Sequence, residues 1–320
     1  MGWIVRLSLT CMVVVVGMLG HPPLLRSQAL SGPLVVFNAG SLAAPFRDLL
    51  QAFRARHPGV RPLQESSGSL EAARKLTELG KVPDVLGVAD YLVIPKLLIP
   101  SQATWYVGFA RNAMVLIYSR VSIGSGDIDA GNWHQILRRP GVRTGRSDPS
   151  LDPNGYRTLL ALQLTEAHLR QPGLAARLLA VMPARWMRPK EADLVALVQA
   201  GELDYAWSYR SIAMTSRLPF VTLPPEVDLS DPQREAWYRQ ATVRLPGPRL
   251  GSTDSITVPG EPIVYAMTIP TRAPNPRVAA AFVRFALSAE GRTILERNGL
   301  TTLRPPQVGG PGRPPPAVLP

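Results

Sequence analysis

The strongest constraint on the fold is an alternation of strand-like and helix-period runs that starts at residue 33 and continues to about residue 298. Residues 34–37 read as a short buried strand. Leu42, Phe46, Leu49, Leu50 and Phe53 then recur at helical spacing until His57-Pro58-Gly59 stops them. A second strand over 60–64 leads through Ser66-Ser67-Gly68-Ser69 into a helix carrying Leu70, Ala73, Leu76 and Leu79. Further strands are expected at 84–88, 141–147, 203–208 and 262–269, and helices at 156–169, 211–217 and 276–298. The apolar and aromatic stretch 107–118 has the length of a strand on which a chain passes between lobes. Strands alternating with helices imply an α/β protein with parallel sheets covered on both faces.

At 320 residues the chain buries roughly 75% of its unfolded surface and has the length of two lobes. That size excludes a disulfide-stapled module, and 46% hydrophobic residues exclude disorder of the whole chain. Residues 224–260 are poor in periodicity apart from an amphipathic piece at 233–242, and the Pro- and Gly-rich end 305–320 reads as a disordered tail. Residues 1–29 read as an export signal: a basic start, an apolar run over 7–20 too short for a comfortable span, and Ser27-Gln28-Ala29 as a cleavage site. The single cysteine, Cys11, lies in that run and fits a lipid-attachment box poorly, so a mature chain would hold no thiol. Disulfides, zinc–thiolate sites and cysteine nucleophiles are thereby excluded.

The formal charge is +12, and of 35 basic residues only Lys75, Lys81, Lys96 and Lys190 are lysines. The arginines are scattered rather than clustered among aromatics, which argues against nucleic acid and for a surface suited to anions. His21, His57, His134 and His168 show no metal-ligand spacing. Gly145-Arg146-Ser147-Asp148-Pro149 approaches a nucleophile elbow but lacks its last glycine and a following histidine in hydrolase order, and neither a phosphate loop nor a dinucleotide fingerprint occurs. No catalytic residue is therefore assigned, and no cofactor.

Three strand-to-helix junctions remain: Ala39-Gly40-Ser41-Leu42, Ser67-Gly68-Ser69-Leu70 and Asp152-Pro153-Asn154-Gly155. Glycine lets backbone approach a ligand, serine adds a hydroxyl, and helix N-termini present unpaired amides to an anion. Ordinary capping explains each junction singly, and Asp followed by Pro is a common helix start. Three in one basic chain point to an anion site.

These segments also carry a resemblance. Phe37-Asn38-Ala39-Gly40-Ser41-Leu42, Glu65-Ser66-Ser67-Gly68-Ser69, Asp84-Val85 with Ala89-Asp90-Tyr91, Phe109-Ala110-Arg111-Asn112, Gly145-Arg146-Ser147 with Leu151-Asp152-Pro153-Asn154-Gly155-Tyr156-Arg157, and Gly201-Glu202-Leu203-Asp204-Tyr205-Ala206 occur in this order. Over about residues 33–304 the chain resembles the archaeal-type tungstate/molybdate-binding proteins of ABC importers. The resemblance implies a type II periplasmic-binding-protein fold: two α/β lobes, crossing hinge strands and a ligand cleft. It implies that Gly40, Ser41 and Ser69 bind oxo groups from lobe one, and that Asp152, Pro153 and Asn154 present a carboxylate and helix amides from lobe two. Asp152 is then the candidate ligand to the metal of the bound anion. The implied partners are a membrane permease and its cytoplasmic ATPase; a monomer at the outer face of the cytoplasmic membrane or in the periplasm is expected.

One departure stands out. Where the resemblance calls for a Glu beside the Asp, the sequence reads Asp204-Tyr205-Ala206-Trp207-Ser208. Ser208 is then expected to donate a hydrogen bond instead, with Glu226 the remote substitute, and discrimination against sulfate is expected to weaken. Lobe one is expected over 30–110 plus 260–304 and lobe two over 111–259. The alternatives are a receptor for sulfate or thiosulfate and, below it, an enzyme on the same fold.

Overall fold

The computed structural model describes residues 1–2, 29–246 and 254–319. The apolar run of the expected export signal, with Cys11, lies outside them. No helix among the described residues is long and apolar enough to cross a membrane.

The strands in chain order are β1 (Ser31–Ala39), β2 (Gly59–Ser67), β3 (Val85–Val88), β4 (Tyr106–Arg111), β5 (Met114–Tyr118), β6 (Thr144–Ser147), β7 (Met187–Arg188), β8 (Tyr205–Tyr209), β9 (Phe220–Thr222), β10 (Thr242–Pro246), β11 (Ser255–Pro259), β12 (Val264–Thr268) and β13 (Thr301–Gly309). They form a six-stranded sheet in the order β13-β4-β12-β3-β1-β2, a five-stranded sheet in the order β7-β6-β8-β5-β9, and a β10-β11 hairpin. Each large sheet with its helices is one lobe.

The sheets are mixed rather than parallel throughout. Each strand followed by a covering helix pairs parallel: β1 with β2 and β3, and β6 with β7 and β8. The strands that carry the chain between lobes run against them: β12 is antiparallel to β3 and β4, and β5 to β8 and β9. The stretch expected as one long strand breaks at Asn112-Ala113, leaving β4 in one sheet and β5 in the other. Beside this crossing, the Asp228 carbonyl accepts the Met114 N–H at 2.9 Å and the Leu229 carbonyl accepts the Ile263 N–H at 2.8 Å.

Register decides where the junctions emerge. Ala39 is paired with Ser67, so Gly40-Ser41 and Gly68-Ser69 leave the sheet side by side at the carboxyl ends of parallel strands. Ser147 is paired with Arg188 in the other lobe, so the segments leading to Asp152 and Glu191 also emerge together.

The core of the first lobe is aromatic: Phe46 packs on Phe109 and Phe282, and Phe53 on Phe282 and Phe285, with Phe46, Phe53 and Phe282 fully buried. In the second lobe Trp133 meets Trp207 edge to face at 5.5 Å. The opposite face of that sheet buries Val115, Ile117 and Ala206 under Leu194 and Val198. The expected terminal helix is two, Pro276–Leu287 and Ala289–Arg297, because Ser288 takes an extended ψ and its hydroxyl caps the second helix through the Gly291 N–H.

Of the stretch 305–320 expected as a disordered tail, residues 305–309 belong to a strand that starts at Thr301. This strand is β13, which pairs with β4 before and after a bulge between Thr302 and Gln307. Pro305 and Pro306 fall inside that bulge, where a missing N–H breaks no ladder bond. Farther on, the Gly312 N–H donates to the Thr104 carbonyl at 2.8 Å and Val318 is fully buried. Pro305 and Pro306 are compatible with order because they occupy unpaired positions.

Candidate functional site

The lobes touch along a buried polar seam. The N-terminus of the helix Ser69–Thr77 in lobe one faces the loop before Asp152 in lobe two, and both the Leu70 and Glu71 amides donate to the Leu151 carbonyl, at 3.1 and 3.2 Å. Helix N-terminal amides that would suit an anion are here satisfied by the opposite lobe. The contact requires glycine at 68, since a Cβ there would lie 2.2 Å from the Leu151 oxygen. Arg74 donates to the Ser150 carbonyl at 2.7 Å, and Arg157 to the Ala89 carbonyl at 2.7 Å. Asp90, on the turn after β3, accepts the Tyr156 hydroxyl and lies 3.4 Å from the Arg157 guanidinium.

Asp152 is the N-cap of the helix Pro153–Leu169 and is 1% exposed. One carboxylate oxygen accepts the Asn154 N–H at 3.1 Å, and the other accepts the Glu191 N–H, at the start of the helix Glu191–Gln199, at 2.8 Å. Asp152 thus ties two helix N-termini together, and the macrodipoles of both favour its charge. The Asn154 amide is spent on this cap, and Pro153 has no N–H. Asn154 turns inward, its Oδ1 accepting from the Ser147 hydroxyl at 3.4 Å.

Sequence reasoning missed Glu191. It too is 1% exposed, and neither of its carboxylate oxygens has a hydrogen-bond partner. Both oxygens lie 3.4 Å from where a Cβ on Gly40 would stand, so the carboxyl group is pressed against the Gly40-Ser41 turn. Burial raises Glu191 well above the ordinary carboxylate range, and the neighbouring Asp152 raises it further, while the Ser41 hydroxyl lowers it. Asp152 is also raised by burial, against hydrogen bonding to Glu191 and Asn154 that lowers it. Burial of the two carboxyl groups side by side thus favours their neutral forms.

The other expected residues fall at different distances from this pair. Gly40 and Ser41 are in contact range of it; the Ser41 hydroxyl is 3% exposed and accepts the Tyr265 hydroxyl at 2.9 Å. The Ser69 hydroxyl, fully buried at the neighbouring junction, accepts the Ala89 N–H at 3.0 Å, leaving its own proton to donate. Ser208 is buried in β8 on the sheet face it shares with Ala206, toward Leu194 and Val198, and its hydroxyl has no partner. Glu226 is ion-paired with Arg234 at 2.9 Å, in a loop. The buried carboxyl group beside Asp152 in this structure is that of Glu191.

A cavity of about 1000 Å³ opens between the lobes and reaches Gly40 and Ser41 from outside. Arg47, Arg217 and Arg297 stand along its walls together with Asp48, which pairs with Arg47 at 3.1 Å, so the approach is positive on balance. No group of three or more metal-ligating side chains occurs among the described residues.

Two α/β lobes, joined by crossing strands and closed on a buried polar seam at the carboxyl ends of their parallel strands, define a bilobal ligand-binding protein. The chain belongs to the bacterial extracellular solute-binding protein family, whose profile matches residues 34–301. A solute-binding protein of Petrotoga mobilis, without an assigned substrate, is 42% identical over 284 residues, 89% of this chain and 88% of its own. The molybdate/tungstate-binding protein WtpA of Pyrococcus abyssi is 34% identical over 329 residues, 95% of this chain and 94% of its own. Among solved structures, the periplasmic molybdate-binding protein of Azotobacter vinelandii superimposes with a TM-score of 0.62 at 16% identity, over 84% of this chain and 98% of that one. The sulfate-binding protein SubI of Mycobacterium tuberculosis also gives 0.62, at 13% identity, over 85% and 88%. These two share the fold. The chain is a solute-binding protein of the ABC-transporter type.

Proposed function

We propose that the protein captures tungstate or molybdate in the interlobe seam and delivers it, as a monomer outside the cytoplasmic membrane, to the permease and ATPase of an ABC importer. Asp152 and Glu191 act as the carboxylate ligands to the metal, and Ser41 and Ser69 donate hydrogen bonds to its oxo groups. The observation that carries this reading is the Asp152–Glu191 pair, buried together with both Glu191 oxygens unpartnered against Gly40-Ser41. A sulfate beside an ionised carboxylate meets repulsion of about 4 kcal/mol per unit-charge pair at about 4 Å with an effective dielectric of about 20. A tungsten or molybdenum centre can instead bond to the carboxylate oxygens, which turns the same pair into attraction. No nucleophile with a placed base accompanies the pair, so capture without turnover is the reading adopted.

Calorimetric competition among tungstate, molybdate and sulfate tests it, alongside an isotopically labelled anion followed for release unchanged. Tight, reversible, one-to-one uptake of tungstate or molybdate with sulfate far weaker is expected, and Glu191→Gln should abolish the preference. A preference for sulfate in the wild-type protein would overturn the substrate assignment, and turnover of the anion would overturn the receptor.

A further inference from the structure

Ser41 is joined to the hinge by a buried chain of hydrogen bonds whose direction is fixed at its far end. Asn112 lies where the chain crosses from β4 to β5 and is 5% exposed. Its Oδ1 accepts two backbone N–H groups, from Ala113 at 2.9 Å and from Ser211 at 3.3 Å. An amide turned the other way would set its NH2 against those two donors, so its Nδ2 must face away and donate. It donates to the Ser211 hydroxyl at 2.7 Å and to the Tyr265 hydroxyl at 3.0 Å. Tyr265, fully buried, therefore receives from Asn112 and gives its own proton to the Ser41 Oγ at 2.9 Å. Ser41 has one proton, and because it cannot return along this line it is left to a partner other than Tyr265.

We propose that Asn112 and Tyr265 are positioning residues that keep the Ser41 proton free for donation to the oxyanion, so that the hinge sets the polarity of this part of the binding site. The inference rests on the binding reading above and adds what holds the Ser41 proton available to the ligand. With its proton kept off Tyr265, the Ser41 hydroxyl is always able to donate to an oxo group of the ligand. Asn112 bonds to Ser211 in lobe two, whereas Tyr265 and Ser41 belong to lobe one, so the hydroxyl is aimed within a network that spans the hinge.

A double-mutant cycle in tungstate affinity tests the chain. Tyr265→Phe removes the donor to Ser41 without adding charge, and is expected to weaken binding about tenfold. In a Ser41→Ala background the same change should cost less than about twofold, since there is no hydroxyl left to aim. Asn112→Asp keeps the shape but replaces the fixed donor by an acceptor, allowing Tyr265 to donate backward and Ser41 to donate into Tyr265. It should weaken binding at least as much as Tyr265→Phe, and its effect should likewise shrink in the Ser41→Ala background. Simple repulsion of the anion by a new carboxylate would persist undiminished there. Equal losses with and without Ser41, or none, would overturn the chain while leaving the binding reading in place. A wild-type protein that takes up no oxyanion would overturn the binding reading, and this inference with it.

Discussion

The Arg157 guanidinium lies 3.4 Å from the Asp90 carboxylate across the seam between lobes, with the two residues 3% and 4% exposed. The pair is buried only because the lobes are together: Asp90 follows β3 in one sheet, and Arg157 belongs to the helix that follows β6 in the other. Arg157 also donates to the Tyr209 hydroxyl at 2.9 Å, and Tyr156 donates to Asp90, so the contact is a closed network rather than an isolated ion pair.

Removing one partner of such a pair leaves a buried charge, at a cost of roughly 3–5 kcal/mol that opening the lobes relieves by returning Arg157 to water. Asp90→Asn is therefore expected to weaken ligand binding by two decades or more in Kd, roughly 3 kcal/mol or more, with a much smaller change in the melting temperature of the ligand-free protein. Titration calorimetry gives the first quantity and small-angle scattering should show a larger mean radius. An unchanged Kd would mean that the pair does not contribute to closure.

The Asp152–Glu191 pair predicts an unusual pH dependence. Both groups hold a proton more firmly in the folded chain than in the unfolded one, where carboxyl groups titrate near about 4. Their contribution to stability is thus fully present below that range and is lost as pH rises through the folded values. The melting temperature of the ligand-free protein should fall as pH rises above the ordinary carboxyl range of about 4, and Glu191→Gln should flatten that slope. Asp228 is raised by burial too, but it is present in both proteins and cancels in the comparison. Parallel slopes would show that Glu191 is ionised over the whole range.

Gly40-Ser41 and Gly68-Ser69 were legible in the sequence because period-2 runs meet period-3.6 runs there, with glycine between. Glu191 was not, although Lys190-Glu191-Ala192-Asp193-Leu194 has acids in a first helical turn. The run Leu194-Val195-Ala196-Leu197-Val198 is apolar on all sides and shows no clean stripe, and its importance arises only from a tertiary fact, the register that sets Ser147 beside Arg188. Two carboxylates 39 positions apart become neighbours through that pairing. Ser208 lies elsewhere than the Asp152–Glu191 pair. Its position in a likeness drew attention, while strand alternation alone puts it on the face of Ala206, away from that of Trp207 and Tyr209.

Ser208 gives a prediction with an unusual sign. A buried hydroxyl without a partner has lost its hydration and gained nothing in return, a cost of about 1–3 kcal/mol. Ser208→Ala removes that group at little change in volume and should stabilise the protein by about 1 kcal/mol in denaturant titrations. Tungstate affinity should stay the same. A tenfold loss of affinity would show that the hydroxyl reaches the ligand after all.

The ordered end of the chain can be tested by deletion. Ending the protein after Arg304 removes the pairings of Gln307, Val308 and Gly309 with Gly108, Val107 and Tyr106, together with the fully buried Val318. Burying a valine side chain is worth about 1.5–3 kcal/mol, and each ladder hydrogen bond adds about 1 kcal/mol net, so a loss of roughly 3 kcal/mol or more is expected. The deletion also leaves β4 as an unprotected edge, since β13 is its outer neighbour in the sheet. The shortened protein should therefore unfold at a lower denaturant midpoint and aggregate during thermal unfolding, while retaining tungstate affinity at low temperature, because no residue of the seam lies beyond residue 304. An unchanged midpoint would mean that the last strand is a passive appendage to a sheet complete without it.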